Sequence, residues 1–95
     1  MDLKEELQAA ADQLSLARRK FVKGEEGLRL LNQSREAFIN SLRNTGLTYA
    51  EAKIKYDNCL DEQEAQQHHV RQQMEYAERM LQFVLNKIAQ QTATA

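Results

Sequence analysis

The stretch Asn44-Thr45-Gly46-Leu47-Thr48-Tyr49-Ala50-Glu51 decides the fold. Gly46 suits the left-handed C′ position that ends a helix. Thr48, with Glu51 three residues later, reads as a capping box. In it a hydroxyl and a carboxylate each satisfy a free backbone N–H at the start of the next helix. Leu47 falls at N′, where it can staple onto Ala52 at N4. Cap to cap the linker is a few residues, which favours antiparallel neighbours.

Outward from this turn, apolar residues recur at alternating three- and four-residue steps. Before it run Leu7, Ala10, Leu14, Ala17, Phe21, Gly24, Leu28, Leu31, Arg35, Phe38 and Leu42. After it come Tyr49, Ala52, Tyr56, Cys59 and Leu60. The pattern then fades, and it resumes with Val70, Met74, Ala77, Leu81, Val84 or Leu85, and Ile88. This is a heptad seam. The predicted fold is all-α: a long, coiled-coil-like antiparallel helical hairpin in one domain over 1–95. Helices are expected over about 3–43 and 49–90, with a turn over 44–48 and a frayed tail over 91–95.

Composition agrees. The chain has no Pro and only 3 Gly, and good helix formers dominate. Folding back at residue 46 makes facing residue numbers sum to about 92. Phe38 should then meet Ile54, Leu7 should meet Leu85, Leu3 should meet Ile88, and Phe21 should meet Val70 or Met74. The middle is polar: RRKFVKGEEG over 18–27 faces DEQEAQQHHVRQQ over 61–73. Gly24 and Gly27 each cost about 1 kcal/mol of helix stability relative to Ala, so a kink or break near Gly24–Gly27 is the alternative to two unbroken helices.

One helix pair has a single seam, yet Leu16, Val22, Leu30, Ile39, Leu60 and Leu81 are apolar outside it. Self-association into a homodimeric four-helix bundle would cover them. So would another protein laid along the stripe. Arg35 sits in the seam, where its stem can cover apolar surface while its head reaches water.

The charge of −1 gives no basic excess to drive nucleic-acid binding. No apolar run approaches a membrane span, and the single Cys59 cannot form an internal disulfide, so a cytoplasmic protein is expected. The acidic, amphipathic start is unlike a signal peptide.

His68 and His69 point ~100° apart on a helix and cannot share an ion. Glu64 and His68 share a face, but their spacing departs from the Glu-x-x-His of di-iron bundles, so no metal and no cofactor is expected. Cys59 lies nine residues from His68, too far along the helix for a nucleophile–base pair, and reads as a core residue. Arg18, Arg19 and Lys20, with Lys23 and Arg29, form a basic patch interrupted by Glu25 and Glu26. No phosphate loop, metal motif or catalytic grouping is present, so the chain is read as non-enzymatic.

The outline resembles two classes of helical hairpin. One is the small dimeric Rop-like plasmid-copy regulators that bind paired RNA hairpins; the likeness is architectural, and this chain is longer. The other is the secreted hairpin proteins defined by a turn Trp. Here the turn reads Asn44-Thr45-Gly46, and Tyr76 is followed four residues later by Met80 in place of an acid. Neither class is assigned.

The expected function is a protein–protein interaction module: an adaptor, small regulator or inhibitor binding itself and a second protein. A small secretion or assembly chaperone and a Rop-like nucleic-acid-binding regulator are the alternatives. The expected seam is Leu7, Leu14, Phe21, Leu28, Leu31, Phe38, Leu42, Tyr56, Leu60, Val70, Met74, Leu81, Val84 and Ile88. The expected contact patch is Arg18, Arg19, Lys20, Lys23, Glu25, Glu26, His68 and His69.

Overall fold

A computed structural model describes residues 2–94, with side chains described through residue 93. All regular structure among them is helical: α1 (Leu3–Gln33), α2 (Arg35–Arg43) and α3 (Tyr49–Thr94). Asp2 caps α1, its carboxylate accepting the Glu5 N–H at 2.8 Å. The α3 helix continues through Thr94, past the tail expected to fray from residue 91.

The turn forms as its residues dictate. The Thr48 N–H donates to Glu51 Oε1 at 3.1 Å, and the Glu51 N–H donates to Thr48 Oγ1 at 3.2 Å. Gly46 takes φ 105°, one position later than C′ because Asn44 is the C-cap of α2. Leu47 packs onto the cluster that contains Ala52, as a hydrophobic staple does.

The helix expected unbroken over about 3–43 is two helices, and the alternative break near Gly24–Gly27 is not where they part. Both glycines lie inside α1, and the chain breaks at Ser34, with φ −97° and ψ 15°. A contact from the opposite helix lies at the break. In an unbroken helix the Leu31 carbonyl would accept the Arg35 N–H. Here it accepts the hydroxyl of buried Tyr56 at 3.0 Å. A side chain inserted into the i→i−4 ladder is a recognised cause of kinks. On either side the ladder holds: the Ser34 N–H donates to Leu30 O, and the Phe38 N–H donates to Ser34 O.

The chain divides into two compact units, one formed by the segments up to Phe21 and from His69, the other by Val22–His68. The Val22–His68 unit holds the core cluster Ile39, Ala52 and Tyr56, with Leu31, Phe38, Leu42, Leu47 and Leu60 packed against it. Phe38 meets Tyr56 edge-on, ring centroids 5.5 Å apart, two residues beyond the expected Ile54. Ile54 is 60% exposed and faces away from the seam. Ile39, placed outside the seam, is fully buried, and Leu60 is half-buried. Arg35 is half-buried with its guanidinium 5.6 Å above the Tyr56 ring, consistent with a stem that covers apolar surface.

In the other unit Leu14, Ala77 and Val84 are buried. Leu7, Phe21, Val70, Met74, Leu81 and Ile88 are half-buried. Leu85, expected opposite Leu7, is exposed. The aromatic face of Phe21 carries the Arg71 guanidinium at 5.5 Å. Glu6 pairs with Lys87 at 3.3 Å, close to the register of about 92.

Candidate interaction faces

The seam of α3 is interrupted over 61–66, where every residue is exposed, and a polar residue resumes it. Gln67 is 6% exposed, four residues after Gln63 and three before Val70. It packs where α1 supplies Gly24, and its Nε2 donates to Glu25 Oε1 at 2.9 Å. A Cβ added at Gly24 would overlap the Gln67 amide, 2.6 Å from its Cδ. Nothing lies within 4 Å of a Cβ at Gly27. The two glycines therefore differ: Gly24 makes room for a buried amide, and Gly27 does not.

The expected contact patch falls in both units. Arg18, Arg19, Lys20 and His69 belong to one, and Lys23, Glu25, Glu26 and His68 to the other. All eight are exposed. Several of these charges already have partners. Arg18 lies 3.8 Å from Glu78, and Arg19 donates to Ser15 Oγ at 3.4 Å. Glu26 takes a two-pronged hydrogen bond from Arg29, whose Nε–Oε2 distance is 3.0 Å. That bond holds the Glu26 carboxyl below its ordinary range and raises Arg29. Lys20 and His69 come together on the wall of one groove.

That groove, of about 470 Å³, runs between α1 and α3 in the first unit, with Gln13, Leu16, Lys20, His69 and Tyr76 among its lining. A second groove of about 210 Å³ continues from Gln13 past Ala9, Met80 and Phe83 to the Glu6–Lys87 pair. Together they form one face. Leu16, Tyr76 and Phe83 are more than half exposed there, and Met80 is exposed too. On α1 the face follows Glu6, Ala9, Gln13, Leu16 and Lys20; on α3 it follows His69, Gln73, Tyr76, Met80, Phe83 and Lys87. Both are three-four spacings, a second heptad stripe beside the seam. Lys87 stands over the Phe83 ring at 4.9 Å and Arg79 over Tyr76 at 6.0 Å, giving the face a cationic margin.

Among the described residues no group of three or more His, Cys, Asp or Glu is placed to hold a metal ion. No described helix is long and apolar enough to cross a membrane. Cys59 is half-buried. No family model, curated protein or solved structure matches the chain.

Proposed function

We propose that this chain is a non-catalytic protein–protein interaction module that acts through its helical faces and self-associates into a four-helix bundle. The observation that carries the reading is the second stripe, with Leu16, Tyr76, Met80 and Phe83 in water at heptad spacing beside a seam that is already filled. Scattered single apolar residues on a surface are ordinary, whereas a contiguous set at helical spacing marks a binding face. Surface area supports the same reading. The chain leaves 7079 Å² accessible at 11.0 kDa. A folded monomer of that mass leaves about 5,600 Å². The surplus exceeds the roughly 800 Å² per partner that a standard interface covers.

A cytoplasmic adaptor, small regulator or inhibitor fits this reading. Nucleic-acid recognition has less support, because Arg18 and Arg29 are paired with carboxylates and the charge sums to −1.

The test is sedimentation equilibrium over a wide concentration range, with circular dichroism on the same samples. A highly helical dimer is the expected result. A partly helical monomer that gains helix only with another chain would transfer the role to a chaperone or adaptor of a different partner. A fully helical monomer at every concentration would end the self-association reading.

A further inference from the structure

We infer that the face lined by Leu16, Tyr76, Met80 and Phe83 seats a second copy of this chain, with α1 antiparallel to its own equivalent and a twofold axis passing between Gln13 and Met80. This deepens the self-association reading above and rests on it.

The occupant is identified by charge. Over residues 2–12, α1 and its cap carry Asp2, Glu5, Glu6 and Asp12 against Lys4; over residues 13–21 they carry Arg18, Arg19 and Lys20 with no acid. The sign therefore reverses at about Gln13, the residue shared by the two grooves. On the α1 side of the face Glu6, paired with Lys87 of α3, stands at one end and Lys20 at the other. Such a stripe is complementary to itself turned end over end. A twofold interface brings each patch onto the same patch of the other copy. In antiparallel register, α1 residues that face each other across the axis sum to about 25. Lys20 then meets Glu5 of the other copy, and Leu16 meets Ala9. A parallel arrangement would set acid on acid and base on base, which costs binding.

The α3 stripe has the same symmetry from independent residues. Its large apolar side chains, Tyr76, Met80 and Phe83, are centred on Met80. Turned end over end about Met80, Tyr76 of one copy meets Phe83 of the other, and Met80 meets itself. The two centres, Gln13 on α1 and Met80 on α3, line the same groove, so one axis serves both helices. Lys87 and Arg79, standing over Phe83 and Tyr76, lie at the margin as the polar rim that an interface of this kind carries.

The experiment is sedimentation equilibrium on the full chain and a small set of exposed-residue variants, each checked for unchanged helicity by circular dichroism. Met80→Lys places two like charges on the axis and should weaken the dimer by roughly 30-fold or more. Val22→Lys, an exposed apolar residue of the Val22–His68 unit, should leave it unchanged. Glu5→Lys and Lys20→Glu should each weaken it by roughly 3- to 10-fold, in the range of rim ion pairs counted twice by symmetry. The double variant Glu5→Lys/Lys20→Glu should return to within about twofold of the parent, since each new Lys meets a new Glu.

A parent chain that stays monomeric overturns both this face and the self-association reading. A dimer indifferent to Met80→Lys overturns the face while self-association stands. Single reversals that weaken the dimer without rescue by the double variant overturn the antiparallel register.

Discussion

Gln67 occupies the space that a methyl group on Gly24 would need, and it spends its buried amide on Glu25. Two terms of opposite sign meet at that glycine. Ala at a helical Gly position gains about 1 kcal/mol of propensity. Here it must also push the Gln67 amide from its hydrogen bond, which costs a comparable amount. Gly24→Ala should therefore gain little or lose stability. In a Gln67→Ala background, where the obstruction is gone, it should stabilise by about 1 kcal/mol. Gly27→Ala, with open space at its Cβ, should stabilise the parent chain by about the same amount. Urea melts of these variants decide it. Equal gains at both glycines would mean that Gln67 does not depend on the missing side chain.

The contrast between those glycines also shows how far the sequence could be read. The capping box at Thr48 and Glu51, the positive φ of Gly46 and the α1 seam were all legible, because each rests on local spacing and turn chemistry. The seam of α3 seemed to fade after Leu60 because apolar residues were the only marker followed. Burial resumes at Gln67, three residues before Val70, and Gly24 opposite is the signal for an amide that needs room. The expectation of one helix over about 3–43, and the alternative break, both miss for a different reason. Helix propensity points to Gly24–Gly27, but the break falls at Ser34, where the Tyr56 hydroxyl reaches Leu31 from 25 residues away in sequence. The second stripe is legible only in part: of its large apolar residues, Leu16 alone stands among those outside the seam. Phe83 and Met80 do not, since a face shared by two helices appears only once their register is fixed.

Tyr56→Phe keeps the buried ring and removes the donor to the Leu31 carbonyl. Loss of one such bond should cost about 1 kcal/mol. The carbonyl is then free to take the Arg35 N–H, its partner in a regular helix. The Arg35 amide should gain hydrogen-exchange protection even though the protein as a whole is less stable. Exchange at Arg35 that stays as fast as in the parent would show that Tyr56 does not cause the break. Ile39→Ala, at a fully buried position of the same cluster, should cost about 2–5 kcal/mol and serves as the upper reference.

Phe38 and His68 separate packing from polar decoration. Phe38 is half-buried and edge-on to Tyr56, so Phe38→Ala should destabilise by about 2 kcal/mol, less than a fully buried aromatic would. His68 is exposed, and His68→Ala should stay within about 0.5 kcal/mol of the parent. Thermal or denaturant melts of the two variants measure both effects. A larger loss at His68 than at Phe38 would mean that the histidine makes a structural contact in solution, and the packing at Tyr56 would need to be revised.

The capping box gives a pH dependence with a definite sign. The Glu51 carboxylate accepts the Thr48 N–H and its own N–H is bound by the Thr48 hydroxyl, so its pKa is lowered from the ordinary 4.5, chiefly by the backbone hydrogen bond. A carboxyl whose folded pKa is depressed binds its proton more readily in the unfolded chain. Its contribution to stability is therefore complete above 4.5 and is lost as pH falls through the lower, folded value. The difference in stability between the parent and Glu51→Gln should shrink over that acidic interval and be constant at neutral pH. Because the carboxylate is solvent-exposed, the change is a small one. Thr48→Ala removes the other half of the box and should cost about 1 kcal/mol. It should also return the Glu51 titration midpoint toward 4.5, because the side-chain hydrogen bond with Thr48 is the second cause of the shift. Carboxyl titration by NMR in the two chains reads the midpoint directly. A parent midpoint at or above 4.5 would show that the reciprocal bonds do not persist in solution, and the start of α3 would then owe its position to the packing of Leu47 and Ala52 alone.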